Sequence, residues 1–283
     1  MFQLKLASCM AENSDSFCRA AARFIENRIR VPTRYIADMP WQQRERLFDE
    51  GAIQILWLCG LPYVHKADRQ GSGVELLAVP VPRGVRYQDR PVYFSDVIVR
   101  RDRPFRTFFD LRGASWAYNE PHSHSGFNVV RAYLAEFAQG DANFFSTVVE
   151  SGAHSASIEM VLSGQVDSAA IDSTVLEWFA AARKDLVDEI RVLDTLGPSP
   201  IPPWVISRQV PESLRSAVRS LLLGMHAEPF GKAMLEGAGF ERFVAAEDRD
   251  YNSIRATARK GGASFVRITN RDTEHSFQAP RRR

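Results

Sequence analysis

A continuous apolar run at residues 52–60 constrains the fold more than any other feature. It reads AIQILWLCG, and such an uninterrupted apolar strand is typical of a parallel sheet covered by helices on both faces. Upstream, FQLKLAS and VPTRYIA have strand patterns, and helices are predicted over residues 16–27 and over WQQRERLFDEG. The opening of the chain therefore predicts a β-α-β-α-β unit of an α/β protein.

The rest of the chain predicts a second βα series and a return to the first. Strand patterns recur in PVYFSDVIVRR, ASWAYNE and VDSAAID. The chain is expected to cross between two lobes near residues 96–103 and again in a proline-rich segment near residues 195–203. We therefore expect lobe 1 to comprise residues 1–96 and 203–283, and lobe 2 residues 97–202. A ligand would bind between them, at the carboxyl ends of the strands.

Composition narrows the functional classes. The formal net charge of the 283 residues is +2, which argues against nucleic acid as a partner. No segment approaches the roughly 20 apolar residues of a membrane span, so insertion into a membrane is not expected. The first residues lack the apolar core of a signal peptide, so the chain is either cytoplasmic or has lost a leader.

The three cysteines, Cys9, Cys18 and Cys59, have irregular spacing. This spacing predicts neither a disulfide framework nor a CxxC metal site. Pairing between Cys9 and Cys18 stays open. Cys59 lies in the apolar run and is predicted to be a small buried hydrophobic residue.

The segment PHSHSG, at residues 121–126, runs directly into the apolar stretch FNVVRAYLAEF. Its two histidines, His122 and His124, lie on one face if the segment is extended. A metal site would need further ligands, and His154 and Glu120 are available for that role. The first hypothesis for this segment is therefore a metal centre.

The strand–turn–helix context of the same segment favours an anion site. The backbone N–H groups of Ser125, Gly126 and Phe127 would lie at the start of a helix, where they lack helical partners and attract negative charge. The hydroxyl groups of Ser123 and Ser125 add two donors. The simplest alternative is that one of these serines only caps the helix.

A second motif, around His154, supports a ligand site at PHSHSG. In SGAHSASIEMVLSGQVDSAAIDS, His154 lies at another loop-to-helix junction, and a later strand ends at Asp172 and Ser173. Two such junctions in one lobe can face one cleft. His154 is otherwise a surface or capping histidine, and Asp172 otherwise a cap for the next helix.

These two motifs resemble the phosphate/phosphite/phosphonate-binding proteins of ABC importers. The shared pattern is a serine-rich turn ending in Ser-Gly, then Gly-x-His, then a Val-Asp strand; VYFSDVIVRRD and SPIPPWVI are similar to the hinge segments of the family. The resemblance covers nearly the whole chain. It implies a type 2 periplasmic-binding-protein fold, a periplasmic location, a monomer, and an ABC transporter permease as partner.

The resemblance also implies site residues. By position, Ser123, His124 and Ser125 would hold the oxyanion group, His154 would contact the ligand, and Tyr93 would donate a hydrogen bond at the hinge.

From the opposite lobe, Trp41 falls where the family often has a ligand-contacting tyrosine. Tyr63, together with Gly60 and Leu61, would line the facing wall. Asp172 is expected to accept a proton from a protonated oxyanion. No cofactor is implied.

The chain departs from the family at three positions. Members that bind aminoalkylphosphonates neutralise the amine with two carboxylates, and Thr174 and Trp204 stand at those places. An ammonium group held there would lack its counter-charges, which is costly in a closed cleft. His124 replaces the small hydroxyl residue of the turn; if protonated it would be a further donor, and if neutral it still offers one N–H. A small oxyanion, or one with an apolar body against Trp41 and Trp204, fits these residues better.

The expected function is capture of a small oxyanion by hinge closure for an ABC importer, without catalysis. Phosphonate, phosphite, phosphate and phosphate esters all stay open as ligands. Two alternatives also remain: a metal-dependent enzyme of pyrimidine or thiamine chemistry on the same fold, and a cytoplasmic ligand-sensor domain.

Overall fold

Two β-sheets with helices packed around them form the protein, which is described by a computed structural model over residues 3–137, 143–183 and 188–262. The strands are β1 Leu4–Ser8, β2 Thr33–Tyr35, β3 Ile55–Trp57, β4 Val74–Pro82, β5 Val92–Arg100, β6 Ser115–Tyr118, β7 Thr147–Glu150, β8 Ser168–Asp172, β9 Ile190–Pro200, β10 Trp204–Ser207 and β11 Phe240–Val244. The α-helices are α1 Asp15–Ile29, α2 Trp41–Asp49, α3 Gly60–Ala67, α4 Val129–Phe137, α5 His154–Leu162, α6 Ser173–Ala182, α7 Glu212–Gly224, α8 Pro229–Gly237 and α9 Asn252–Gly262.

The first sheet has six strands in the order β11-β4-β10-β3-β1-β2. β1 lies between β2 and β3 and is parallel to both, which confirms the parallel unit predicted for the opening of the chain. β10 returns from the second half of the chain and pairs antiparallel with β3 and β4. All three residues of β3 are buried, as its apolar sequence predicts.

The second sheet has five strands in the order β7-β6-β8-β5-β9. β6 is parallel to β7 and β8, whereas β5 is antiparallel to β8 and β9. The two-sheet α/β architecture confirms the predicted fold class.

The chain crosses between the sheets twice. The first crossing lies between the end of β4 and the start of β5, over residues 83–91, and the second over residues 201–203. The whole of β5 pairs within the second sheet. The lobe division predicted between residues 96 and 97 therefore falls inside β5, because the sequence pattern marks a strand but not the sheet that it joins.

Aromatic side chains dominate the core of each lobe. In the first lobe, Trp57, Trp204 and Phe17 pack together, with the ring centroids of the two tryptophans 5.7 Å apart. In the second, Trp116 stacks on Phe127, with ring centroids 6.0 Å apart and an interplanar angle of 4°.

The last helix ties the lobes together. α9 follows the first-lobe strand β11 but packs against α4 of the second lobe as well as α3 of the first. Just before α9, the hydroxyl of Tyr251 donates to the carbonyl of Ile201 in the second crossing, at 2.9 Å. In the described part of the chain, no helix has the length and apolarity needed to cross a membrane.

Candidate ligand-binding site

Four strand ends bring polar residues to one region between the lobes. β6, β7 and β8 are mutually parallel neighbours, so their carboxyl ends share one edge of the second sheet. The chain after them carries PHSHSG, His154 and Asp172, respectively. From the first lobe, Cys59 follows β3, and the backbone N–H of His124 donates to its Sγ at 3.5 Å. The lobes therefore touch at this region, as the cleft of an α/β fold requires.

The serine-rich turn opens with one π-helical turn, His124–Asn128, before α4 begins. The Ser123 hydroxyl accepts a hydrogen bond from the Gly126 backbone N–H at 3.0 Å. Ser123 therefore caps the helix, which is the simplest of the alternatives that the sequence leaves open.

Residue 126 must be glycine because a side chain there would collide with its neighbours. A Cβ atom at this position would lie 1.9 Å from Asn119 Oδ1 and 3.2 Å from His154 Cε1. The absent side chain lets the turn approach both residues, so Gly126 shapes the site and its own N–H is engaged with Ser123.

The imidazole ring of His124 is engaged by two protein side chains. Its Nδ1 lies 3.1 Å from Asn128 Nδ2 and its Nε2 lies 3.0 Å from Ser199 Oγ. Because the Asn128 amide nitrogen can only donate, Nδ1 accepts and Nε2 carries the proton toward Ser199. Burial lowers the pKa of His124 to about 3. Of the two protonation states that the sequence left open, the neutral ring fits this burial, and both of its nitrogens are paired within lobe 2.

Ser125 and His154 form a pair between two helix starts. The Ser125 Oγ lies 3.3 Å from His154 Nε2, and burial lowers the pKa of His154 to about 4, so the ring is neutral at physiological pH. If Nδ1 carries the proton, the Ser125 hydroxyl donates to Nε2 and Nδ1–H is left over. If Nε2 carries it, that N–H donates to Oγ and the Ser125 O–H is left over. Either tautomer leaves the pair one unused donor.

Several polar atoms around this pair are buried and unpaired. Tyr93 Oη, Asn119 Oδ1 and His154 Nδ1 have no hydrogen-bond partner among the described residues. Burial raises the pKa of Tyr93 well above its usual value, so its hydroxyl keeps its proton and stays a donor. An unpaired buried polar atom costs about 1–3 kcal/mol, and three of them in one region are typical of a ligand site.

Asp172, at the end of β8, caps α6. Its Oδ1 accepts hydrogen bonds from the Thr174 backbone N–H at 2.8 Å and from the Thr174 hydroxyl at 2.7 Å. Burial raises the pKa of this carboxyl group to about 6, against the lowering effect of those bonds. Asp172 pairs with Ser95 across the β5–β8 ladder, and the Ser95 hydroxyl donates to the Ser125 carbonyl at 2.6 Å, which places Asp172 beside the cleft residues.

The two aromatic residues expected from the first lobe differ. Trp41 is the first residue of α2 and is half-buried, and its carbonyl accepts a hydrogen bond from Cys9 Sγ at 3.6 Å. Tyr63 is buried in the first-lobe core, where its hydroxyl donates to Asp248 at 2.8 Å and its ring packs on Tyr251. The Tyr63 hydroxyl therefore donates its hydrogen bond to Asp248 and not to a group at the strand ends.

The histidines do not assemble as metal ligands. Over the ranges that the structure describes, no group of three or more His, Cys, Asp or Glu side chains is arranged to hold a metal ion. The ring of His122 instead lies edge-on to that of His65 across the cleft, with centroids 6.4 Å apart. His124 is engaged as described above, so the H-x-H spacing does not bring two free imidazoles together.

The buried position of Glu120 predicts that the free energy of unfolding depends on pH. Burial, with smaller contributions from Glu45 and Glu150, raises its pKa from 4.5 to about 7. The folded state then holds a proton that the unfolded state releases, so stability falls as pH rises from about 4 to about 7. We expect Glu120→Gln to raise the free energy of unfolding by about 1–2 kcal/mol at pH 8, since partial exposure weakens the full effect.

Urea unfolding of both proteins at pH 4 and pH 8 measures this effect. The gain from Glu120→Gln should disappear at pH 4, where the wild-type carboxyl group is also neutral. An equal gain at both pH values would show that charge burial is not its cause. Glu159→Gln is the matched control, since Glu159 is exposed and paired with Arg183.

Sequence analysis missed several neighbours of the cleft. Asn119, Asn128 and Ser199 lie within the segments singled out above but were given no role, although Asn119 immediately follows β6 and strand ends are where such residues were sought. Cys59 was predicted to be a small buried hydrophobic residue; it is intermediate in exposure, and its Sγ accepts the backbone N–H of His124. All three cysteines are free, so the pairing of Cys9 with Cys18 that was left open does not occur.

Comparison with known proteins places this arrangement in a family. Residues 13–251 match the family model described as ABC transporter, phosphonate, periplasmic substrate-binding protein. The phosphonates-binding periplasmic protein of Escherichia coli (strain K12) is 25% identical over 210 residues, which are 73% of this chain but only 60% of that protein. The matched part thus spans less than two thirds of the curated relative.

Two solved structures share the fold. The binding protein component of an ABC phosphonate transporter from Pseudomonas aeruginosa has a TM-score of 0.78 and 16% identity, over 92% of this chain and 86% of that one. PhnD1 from Prochlorococcus marinus, solved with methylphosphonate, has a TM-score of 0.79 and 16% identity, over 92% and 98% of the two chains. The match to the family model extends over most of the sequence, and the chain therefore belongs to the periplasmic substrate-binding proteins of phosphonate ABC transporters.

Proposed function

We propose that this protein captures a small phosphorus oxyanion, of the phosphonate class, between its two lobes. The observation that carries the proposal is the group of unpaired buried polar atoms at the converging strand ends: Tyr93 Oη, Asn119 Oδ1 and His154 Nδ1. Two of these belong to groups with a donor to spare, and Asn119 Oδ1 is an acceptor that suits a P–OH group. The match to the phosphonate-binding family supports the same ligand class.

The donors act without a formal positive charge. His154 is the first residue of α5, and Ser125 lies in the turn that begins the π-helix and α4. Backbone N–H groups at helix starts lack helical partners and favour an anion. Each hydrogen bond to a charged ligand contributes roughly 1.5–3 kcal/mol, so a few such bonds, less the costs of desolvation and closure, support micromolar binding.

We propose that the two lobes close on the ligand about a hinge formed by the two crossings. We place the lobe division at residues 83–91 and 201–203, where the chain passes between the sheets. Trp41 would then approach the ligand from the first lobe. Ser123, Gly126 and His124 shape the turn that carries Ser125 rather than contact the ligand through their side chains. Asp172 would receive a proton from a protonated oxyanion.

The transport role follows from the family. The family description is that of a periplasmic substrate-binding protein of a phosphonate ABC transporter, and we propose that this chain acts as a monomer that hands its ligand to an ABC permease without catalysis. The metal-dependent enzyme is less well supported, because the described histidines and acids do not converge on a metal position. No contact in the structure favours the sensor alternative over the importer.

A thermal-shift screen tests the proposal. Dialysed protein is melted with phosphate, phosphite and methylphosphonate, each with and without divalent metals. A ligand at 100 times its Kd adds ~2.7 kcal/mol, which shifts the midpoint by several degrees. We expect methylphosphonate to shift wild type, and Ser125→Ala to lose the shift.

Ser163→Ala is the matched control, since Ser163 is an exposed serine at the far end of α5; it should keep the shift. A response to metals alone, or an unchanged response in Ser125→Ala, would overturn the proposed site.

A further inference from the structure

A second cavity adjoins the oxyanion region and has a different chemistry. Its volume is about 220 Å³, and both lobes line it. The start of α1, the end of β3 and helix α8 contribute from the first lobe, and α6 contributes from the second. It therefore belongs to the cleft between the lobes and not to the interior of either one.

The lining of this cavity carries no charged side chain among its described residues. Four aromatic and two methionine side chains line it together with small aliphatic residues, and the polar members are the hydroxyl or amide side chains of Asn13, Ser14, Ser16 and Thr174. The wall residues that bear on the inference are Met10, Phe17, Trp57, Thr174, Trp178 and Phe240. An ammonium group in such a space would be stripped of water without a carboxylate to pair with, which is unfavourable. An uncharged apolar group avoids that cost and can pack on the aromatic part of the wall.

Two short segments connect this cavity with the oxyanion region. Thr174 lines the cavity and donates its hydroxyl to Asp172 at 2.7 Å. Trp57 lines the cavity too, and Cys59, two residues further on, accepts the His124 N–H. Asp172 in turn pairs with Ser95 across the β5–β8 ladder, and the Ser95 hydroxyl donates to the carbonyl of Ser125 at 2.6 Å, so the cavity lies close to the oxyanion region.

The size of the cavity sets the size of the group that it accepts. An apolar cavity of about 150 Å³ holds a benzene molecule. The 220 Å³ found here therefore accommodates a phenyl ring or a short alkyl chain. Trp178, at 43% exposure, lies at its solvent side.

We propose that the ligand of this protein is an organic oxyanion with an uncharged, apolar substituent, which occupies this cavity while the oxyanion group is held at Ser125 and His154. The inference rests on the proposed function and adds the class of the substituent. Aromatic phosphonates are the simplest members of that class. Phosphonates with an ammonium-bearing substituent are rejected.

Titration calorimetry with three probes tests the inference: methylphosphonate, phenylphosphonate and 2-aminoethylphosphonate. For wild type, phenylphosphonate should bind about 10- to 100-fold more tightly than methylphosphonate, because a ring leaves water for an apolar wall. The aminoethyl compound should bind more weakly than both.

Two variants locate the effect. Ala20→Leu places a larger side chain on the α1 wall of the cavity, and should remove the phenyl advantage while methylphosphonate still binds. Ala181→Leu is its matched control, an exposed alanine of α6 that is not part of the wall; it should keep that advantage. Thr174→Glu supplies a counter-charge for the ammonium group and should raise the affinity for the aminoethyl compound relative to that for the phenyl compound.

The outcomes separate this inference from the proposed function. If methylphosphonate binds but phenylphosphonate is no tighter, or the aminoethyl compound is tightest, the inference is wrong and the oxyanion site stands. If the phenyl advantage survives in a folded Ala20→Leu protein, the ring lies elsewhere and the inference is wrong. If no probe binds wild type, both are overturned.

Discussion

Replacing Trp204 with alanine is expected to lower the free energy of unfolding by about 3–5 kcal/mol. Trp204 is fully buried at the start of β10, and its ring contacts those of Phe17, Trp57 and Phe243 at centroid distances of 5.9, 5.7 and 5.5 Å. Because β10 pairs with both β3 and β4, the cavity left by the change would lie in the middle of the first sheet.

Trp204→Phe separates packing from hydrogen bonding. The indole Nε1 of Trp204 is buried and has no partner among the described residues, so phenylalanine removes an unpaired donor while it keeps an aromatic ring. We expect a loss below about 1.5 kcal/mol for this change. Urea unfolding followed by circular dichroism measures both variants. A similar loss for alanine and phenylalanine would contradict the packing account, and Phe230→Ala, at a ring that is 60% exposed, is the surface control.

His154→Ala is expected to weaken methylphosphonate binding by about 10- to 150-fold, the equivalent of one charge-assisted hydrogen bond. The change removes the leftover Nδ1 and also the partner of the Ser125 hydroxyl. His154→Asn keeps a shorter amide donor and should recover part of the affinity. Titration calorimetry measures the three proteins.

Two controls accompany this comparison. His226→Ala changes an exposed histidine between α7 and α8 and should bind as wild type does. A melting curve of His154→Ala shows whether the protein stays folded. Unchanged affinity in folded His154→Ala would show that His154 packs the second lobe without contacting the ligand.

The sequence predicted the architecture well because its signals are local. The apolar run before Cys59 is a buried strand with parallel partners, and both strand–turn–helix motifs lie where expected. The lobe boundary was less predictable. β5 has the composition of a buried strand of either sheet, and only its long-range pairing with β8 and β9 decides between them.

The candidate site was predictable in its residues and less so in their roles. The motif named Ser125 and His154, and the structure pairs them. His124, however, is neutral because Asn128 and Ser199 pair with its ring and burial opposes its charge. Such partners come from residues 4 and 75 positions away along the chain, and no local pattern encodes the second.

Tyr63 illustrates the same limit. Its partner Asp248 is 185 residues away along the chain. Because no local pattern reveals that partner, the sequence suggested a ligand contact for the Tyr63 hydroxyl, whereas in the structure the hydroxyl bonds to Asp248. Asn119, in contrast, was given no role from sequence, and the structure indicates one. Its position beside Gly126 becomes meaningful only when a Cβ atom at Gly126 is seen to collide with it.

A crystal structure of the protein with methylphosphonate tests the central claim most directly. The account predicts phosphonate oxygens within hydrogen-bond distance, about 2.7–3.2 Å, of the Ser125–His154 pair and of the Tyr93 hydroxyl. A phosphonate bound away from these residues, or these side chains turned away from it toward protein partners, would contradict the account.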